Sequence, residues 1–155
     1  VVVSPADGKV AEIVTEKDPI MGKTFKRISI FLSVFNVHIN RAPIGGRVEK
    51  IQDNDGKFLA AFNHKASHEN KQKTLLINNG RVQVLVKQIV GLIARRIVCR
   101  VRVNDELKTG QRYGLIRFGS RVDVFLPENA DIRVKLGDRV KGGSSVIGFL
   151  KGEAR

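Results

Sequence analysis

Apolar and polar positions alternate with period two along most of this chain, the pattern of strands with one face against a core. It predicts strands over residues 26–34, 74–79, 81–90, 112–118, 121–126 and 145–150, with Gly80 placed to turn one hairpin. Residues 57–73 break the pattern. They are polar, carry Phe58 and Phe62 at helical spacing, and read as a loop with a short helical turn that is positioned to act as a lid.

Two internal echoes organise the strands. Pro5-Ala6-Asp7-Gly8-Lys9-Val10 returns as Pro43-Ile44-Gly45-Gly46-Arg47-Val48, a tight glycine turn leading into an alternating strand. Val103-Asn104-Asp105-Glu106-Leu107-Lys108-Thr109-Gly110 returns as Leu136-Gly137-Asp138-Arg139-Val140-Lys141-Gly142-Gly143. These two signatures resemble the halves of a biotinyl/lipoyl-type barrel-sandwich hybrid, each half present twice. The expected fold is therefore mainly β: a compact single domain over residues 1–155, built of duplicated hybrid-like motifs with few short helices.

Composition supports strands and adds a partner class. Apolar residues make up 42% of the 155 and aromatics only 6%, so the core is aliphatic. Lys and Arg number 28 against 15 Asp and Glu, a net +13 that attracts anionic partners. Lys87, Arg95, Arg96, Arg100, Arg102, Lys108, Arg112 and Arg117 concentrate that charge against Asp105 and Glu106, which suits an acidic bilayer or a nucleic acid equally. The single Cys99 excludes an internal disulfide and sits in an aliphatic stretch, as a buried inert thiol would. No apolar run is long enough to span a bilayer.

Three short segments hold the candidate chemistry. Ser4-Pro5-Ala6-Asp7-Gly8 offers a carboxylate, Phe35-Asn36-Val37-His38-Ile39-Asn40-Arg41-Ala42-Pro43 an imidazole, and Arg117-Phe118-Gly119-Ser120-Arg121-Val122-Asp123 a hydroxyl after an unhindered glycine. Taken singly each has a plain reading: Asp7 a turn residue, His38 a structural side chain, Gly119-Ser120 a strand bulge.

Taken together with Gly91-Leu92-Ile93-Ala94-Arg95-Arg96-Ile97-Val98-Cys99 and Leu126-Pro127, these segments resemble, in order, the short form of the phosphatidylserine decarboxylase family. The resemblance implies a self-cleaving proenzyme in which Asp7, His38 and Ser120 form the Asp-His-Ser set and Gly119 supplies the scissile carbonyl. Cleavage would give residues 1–119 and 120–155, held together as a heterodimer, with Ser120 converted to a covalent pyruvoyl group. That ketone would form a Schiff base with a serine phospholipid and release an ethanolamine phospholipid and carbon dioxide. Implied partners are an anionic serine phospholipid and a membrane surface, with room for a higher oligomer and no nucleic acid. The implied location is peripheral, on the cytoplasmic face of the cell membrane, with a further anchor upstream of Val1. The longer bacterial form carries a second His three residues before His38, where this chain has Phe35.

The chemistry needs these residue types. A serine hydroxyl is a weak nucleophile until a base takes its proton, and an imidazole titrating near neutrality suits that task. A carboxylate on the other ring nitrogen fixes the tautomer, the part given to Asp7. Rival readings fare worse. A basic nucleic-acid module lacks stacking aromatics, with one Tyr and no Trp. A biotin or lipoyl carrier lacks its modified lysine at a hairpin tip. His64 and His68 stand at helical spacing without a completing metal motif, and Asp53-Asn54-Asp55-Gly56 lacks the alternating ligands of a calcium loop, so no metal is expected.

Overall fold

The computed structural model describes residues 1–19, 21–32, 38–54, 70–91, 96–116 and 119–152. The described chain forms strands β1 (Val2–Val3), β2 (Gly8–Lys17), β3 (Thr24–Phe31), β4 (His38–Arg41), β5 (Gly46–Asn54), β6 (Gln72–Asn78) and β7 (Gln83–Ile89). They are followed by β8 (Ile97–Cys99), β9 (Glu106–Leu107), β10 (Arg112–Ile116), β11 (Arg121–Pro127), β12 (Asp131–Ile132), β13 (Arg139–Val140) and β14 (Val146–Phe149). No helix occurs among the described residues. An antiparallel sheet runs β13-β2-β3-β11-β7-β6-β5-β9, and two small sheets run β1-β14-β12 and β4-β10-β8.

That order is a palindrome, and the registers show why. Lys9 faces Phe31 as Arg47 faces Asn78, Phe31 faces Arg121 as Asn78 faces Gln83, and Gly8 faces Val140 as Gly46 faces Leu107. The pair Val124–Val86 maps onto itself, so a pseudo-twofold axis passes between β11 and β7. Equivalent bulges interrupt β2 between Val10 and Glu12 and β5 between Val48 and Lys50. The aspartates of the second echo make equivalent turns: Asp138 Oδ2 accepts from the Lys135 amide and Asp105 Oδ2 from the Arg102 amide, both at 2.9 Å. Their carbonyls accept from Val10 and Val48, again both at 2.9 Å. The halves are tied reciprocally, Val3 N–H to the Pro43 carbonyl at 3.0 Å and Arg41 N–H to the Pro5 carbonyl at 2.8 Å. The duplicated motif expected from the echoes is the architecture.

Glycine at the start of β2 and β5 is dictated by contact. A Cβ on Gly8 would lie 2.3 Å from the Phe31 carbonyl oxygen, and one on Gly46, at φ 153°, 2.5 Å from that of Asn78. Gly80 turns the β6–β7 hairpin as expected, but β7 begins at Gln83 because Asn79 Oδ1 holds the Arg81 and Val82 amides in the turn. Of residues 57–73 only the last few are described. Gln72 already belongs to β6, while Phe58, Phe62, His64 and His68 lie outside the described residues, as do Phe35, Asp55, Gly56, Arg95, Arg117 and Phe118.

The main core lies between the eight-stranded sheet and the two small ones, and includes Ile28, Ile30, Val86, Val122, Val124 and Ile116. The sheet's other face carries a second, smaller apolar cluster of Phe25, Leu76, Leu85 and Phe125, and beside it a largely buried polar row. Glu12, Ser29, Asp123, Lys87 and Thr74 stand side by side across β2, β3, β11, β7 and β6. Lys87 therefore does not belong to the cationic surface: it is buried and its Nζ donates to Asp18 Oδ1 at 2.9 Å. Cys99 is a free thiol, half-buried rather than buried, and that burial pushes its pKa up.

Candidate functional site

Ser120 sits where the chain passes from β10 of a small sheet to β11 of the large one. Gly119 before it takes φ 70°, a left-handed conformation that side chains disfavour, which explains the glycine at this junction. Ser120 itself is fully buried, and its carbonyl accepts from the Leu32 amide at 2.9 Å, extending the β3–β11 ladder by one step. By strand alternation its side chain shares the core face with Val122 and Val124.

Arg121 follows at once and is just as buried, on the opposite face. Its Nε donates to Asp123 Oδ1 and its Nη2 to Ser29 Oγ, both at 2.9 Å, and Nη2 also reaches Glu12. Arg27 completes the cluster, with Nε on Glu16 at 2.8 Å and Nη1 on Glu12 at 3.2 Å. Burial lowers the guanidinium pKa of Arg121, but the Asp123 and Glu12 carboxylates outweigh it and hold the pKa above its ordinary value. In the sequence these polar positions alternate as those of a solvent-exposed strand face do. The charges meet diagonally: Arg27 and Arg121 each stand two residues along the strands from the Glu12–Ser29–Asp123 row, which only the strand order brings together.

His38 opens β4 opposite Ile116 of β10. It is 6% exposed and points inward with Asn40, whereas Ile39 between them is 43% exposed. Since Ser120 follows Ile116 by four residues, the chain limits their separation along it to about 14 Å. Asp7 precedes β2, in a turn where Ser4 Oγ donates to the Ala6 carbonyl at 2.8 Å. The run Lys9–Phe31–Arg121 sets Asp7 and Ser120 at one end of the sheet, about two strand spacings or 10 Å apart. Asp7 is exposed, and its Oδ1 accepts from the Gly142 amide at 2.7 Å, toward β13. The fold thus gathers all three residues at one end of the molecule, with the Asp7 carboxylate engaged by the backbone of the second echo.

One more polar pair reaches this end. Gln88 of β7, opposite Val122, donates from Nε2 to Asn40 Oδ1 at 2.8 Å, and both residues are fully buried. Neither was given a role from the sequence, where Gln88 passes for an ordinary strand position and Asn40 is one residue of the segment around His38.

Comparison with known proteins identifies the family of the chain. The family model described as phosphatidylserine decarboxylase matches residues 1–148. A phosphatidylserine decarboxylase proenzyme of Geotalea uraniireducens is 49% identical over 150 residues, covering 96% of this chain and 70% of that protein. One of Magnetococcus marinus is 49% identical over 154 residues, covering 98% and 71%. A third, from Wolbachia of Brugia malayi, is 44% identical over 158 residues, covering 98% and 69%. No solved structure matches. The chain belongs to the phosphatidylserine decarboxylase family.

Proposed function

We propose that this chain is a proenzyme that cuts itself between Gly119 and Ser120 and then decarboxylates the serine headgroup of a phospholipid to an ethanolamine headgroup. The observation that carries the reading is Ser120 itself: a fully buried hydroxyl at a strand junction, after a left-handed glycine, with its own carbonyl pinned by Leu32.

In this reading Ser120 Oγ attacks the Gly119 carbonyl carbon while His38 takes the hydroxyl proton. The acyl group passes from nitrogen to oxygen, giving an ester. Elimination then releases the Gly119 carboxylate, and water converts the remaining dehydroalanine to a pyruvoyl group with loss of ammonia. Asp7 supplies the carboxylate that favours a charged imidazole, its position set by the Gly142 amide. The residues fit a pyruvoyl group at position 120, because the carbonyl next to the new ketone already has a fixed donor in Leu32 N–H. The ketone supplies an electron sink for the pair left by departing carbon dioxide.

The topology supports survival of the cut molecule. The 120–155 piece would contribute β11, inserted between β3 and β7, with β13 on β2 and β14 on β1. Separating the pieces would break the middle of the large sheet. The lipid substrate sets the work at a membrane. No described helix is long and apolar enough to cross one, and peripheral docking on the cytoplasmic face rests on the exposed Arg96, Arg100, Arg102, Lys108 and Arg112.

The test is a denaturing mass spectrum. It should give one fragment ending at Gly119 and one beginning at position 120, the smaller lighter than its Ser-initiated sequence by one ammonia. Ser120→Ala should remain a single chain of 155 residues without decarboxylase activity. A folded wild-type protein that stays intact would refute the proposal.

A further inference from the structure

The two halves related by the pseudo-twofold are not chemically equivalent at one interior point. In one half Gln88 Nε2 donates to Asn40 Oδ1 at 2.8 Å and to the Val98 carbonyl at 3.1 Å. A carbonyl only accepts, so Val98 fixes which end of the Gln88 amide faces it. Gln88 Oε1 and Asn40 Nδ2 are then left buried without a hydrogen-bond partner among the described residues. Exchanging the ends of both amides would not help, since it would again orphan one donor and one acceptor and lose the Val98 bond as well.

The fold does not require this pair. In the other half Leu126 stands in place of Gln88 and Val2 in place of Asn40, both fully buried and apolar. The backbone around them matches: Gly148, paired with Val2, stands for Gly114, paired with Asn40. A Cβ on Gly148 would meet the Asp131 oxygen at 2.9 Å and Leu126 Cδ1 at 3.6 Å, while one on Gly114 would meet the Val98 oxygen at 2.1 Å and Gln88 Nε2 at 3.1 Å. The same geometry is filled with hydrocarbon on one side and with unsatisfied amides on the other. Buried polar groups without partners oppose folding, so a cause other than packing keeps them.

Position supplies the cause. The amide pair lies at the end of the sheet that holds the serine and the histidine, one step along the strands from each, and its apolar counterpart lies at the opposite end. His38 is two residues before Asn40 on the same inward face of β4, and Ser120 is two residues before Val122, the β11 partner of Gln88.

We propose, resting on the decarboxylase reading above, that Asn40 and Gln88 hold the zwitterionic serine headgroup beside position 120. Beyond its phosphodiester, the serine moiety carries one acceptor group, the carboxylate, and one donor group, the ammonium. The open donor Asn40 Nδ2 meets the first and the open acceptor Gln88 Oε1 the second. Neutral amides suit a carboxylate that has to leave: a guanidinium would stabilise the ground-state charge, which the transition state is losing, and so raise the barrier. In the uncut chain the pair is closed off from solvent, and release of Gly119 from Ser120 parts the chain beside it.

The pseudo-symmetry provides the test. Asn40→Val with Gln88→Leu copies the packing of the other half, so the double variant should fold with unchanged or higher thermal stability. It should cleave between Gly119 and Ser120 to the wild-type extent by mass spectrometry. Its kcat/KM for phosphatidylserine in mixed micelles should fall at least tenfold. Inhibition by glycerophosphoserine should weaken by a similar factor, while inhibition by glycerophosphoethanolamine, which lacks the carboxylate, should change much less. Gln88→Met alone, close in shape, should show the same pattern in part. Wild-type kinetics in the cleaved double variant would overturn the proposal, as would equal weakening of both inhibitors. A folded but uncleaved variant would move the pair to self-cleavage, and an unfolded one would make it structural, both against the proposal. Failure of the wild-type protein to cleave would instead strike the decarboxylase reading itself.

Discussion

Arg121 Nε donates to Asp123 Oδ1 at 2.9 Å inside the sheet, one residue past the serine at which the chain is proposed to part. The guanidinium also bridges to Glu12 on β2 and Ser29 on β3, so it ties the start of β11 to two other strands. Removing one partner of a buried pair leaves uncompensated charge, at a cost of about 3–5 kcal/mol. Arg121→Met should lose that much in urea unfolding of the uncleaved Ser120→Ala protein. Arg121→Met with Asp123→Leu should recover part of the loss, because the lone carboxylate is gone. A loss below about 1 kcal/mol for the single variant would show that Arg27 compensates alone.

Tyr113 is buried in the main core and its hydroxyl has no hydrogen-bond partner among the described residues. Burial, and secondarily the neighbouring Cys99, raises its pKa far above the ordinary 10.0. Burial likewise raises that of Cys99 above 9.0. Both groups keep their protons when folded at pH values where the unfolded chain has lost them. Stability is therefore intact below about pH 9 and declines as pH rises through 9 and 10. Tyr113→Phe removes an unsatisfied hydroxyl and should add about 1 kcal/mol at neutral pH. It should also flatten the alkaline decline, readable as the urea midpoint against pH. A destabilised variant would mean that the hydroxyl has a partner in solution.

Membrane docking divides the cationic stretch by exposure. Arg100 and Arg102 are exposed, and each such residue near an anionic bilayer is worth about 1 kcal/mol. Arg100→Gln with Arg102→Gln should weaken sedimentation with phosphatidylserine vesicles by about 2 kcal/mol at low salt, roughly 30-fold, and less in high salt. Lys87→Gln should leave vesicle binding unchanged while lowering stability, since Lys87 faces Asp18 and not solvent. Binding indifferent to salt would remove the electrostatic account.

The duplicated fold was legible because each echo carries its own local constraint. Gly8 and Gly46 meet a neighbouring backbone, and Asp105 and Asp138 cap equivalent turns, so sequence similarity tracked geometry residue by residue. Burial of the polar row on the sheet's second face was not legible. Glu12, Arg27, Ser29 and Asp123 alternate as solvent-facing positions do, and only strand order brings opposite charges together. Asn40 and Gln88 lie far apart in sequence, and their meaning rests on the contrast with Val2 and Leu126, which needs the symmetry axis to be seen. The site residues were found through the resemblance of whole segments, since no spacing in the sequence joins Asp7, His38 and Ser120.

Maturation should separate the roles of those three. His38→Ala removes the only base assigned to the Ser120 hydroxyl and should nearly abolish cleavage between Gly119 and Ser120. Asp7→Asn keeps an oxygen that can accept from the Gly142 amide, so the turn should hold and the protein should fold. It loses the charge that favours an imidazolium, and cleavage should slow without stopping. Asp7→Ala loses the acceptor as well, so any further slowing beyond Asp7→Asn measures the part played by the Gly142 bond. Time courses on denaturing gels give the three rates directly, and material that has matured slowly can then be assayed for decarboxylation. Because the ketone, once made, needs no base to persist, matured Asp7→Asn should turn over substrate at near the wild-type rate per cleaved molecule. Normal cleavage in His38→Ala would assign the base elsewhere. Equal rates for wild type and Asp7→Asn would reduce Asp7 to a turn residue, whose oxygen holds the backbone of the second echo and does nothing to His38.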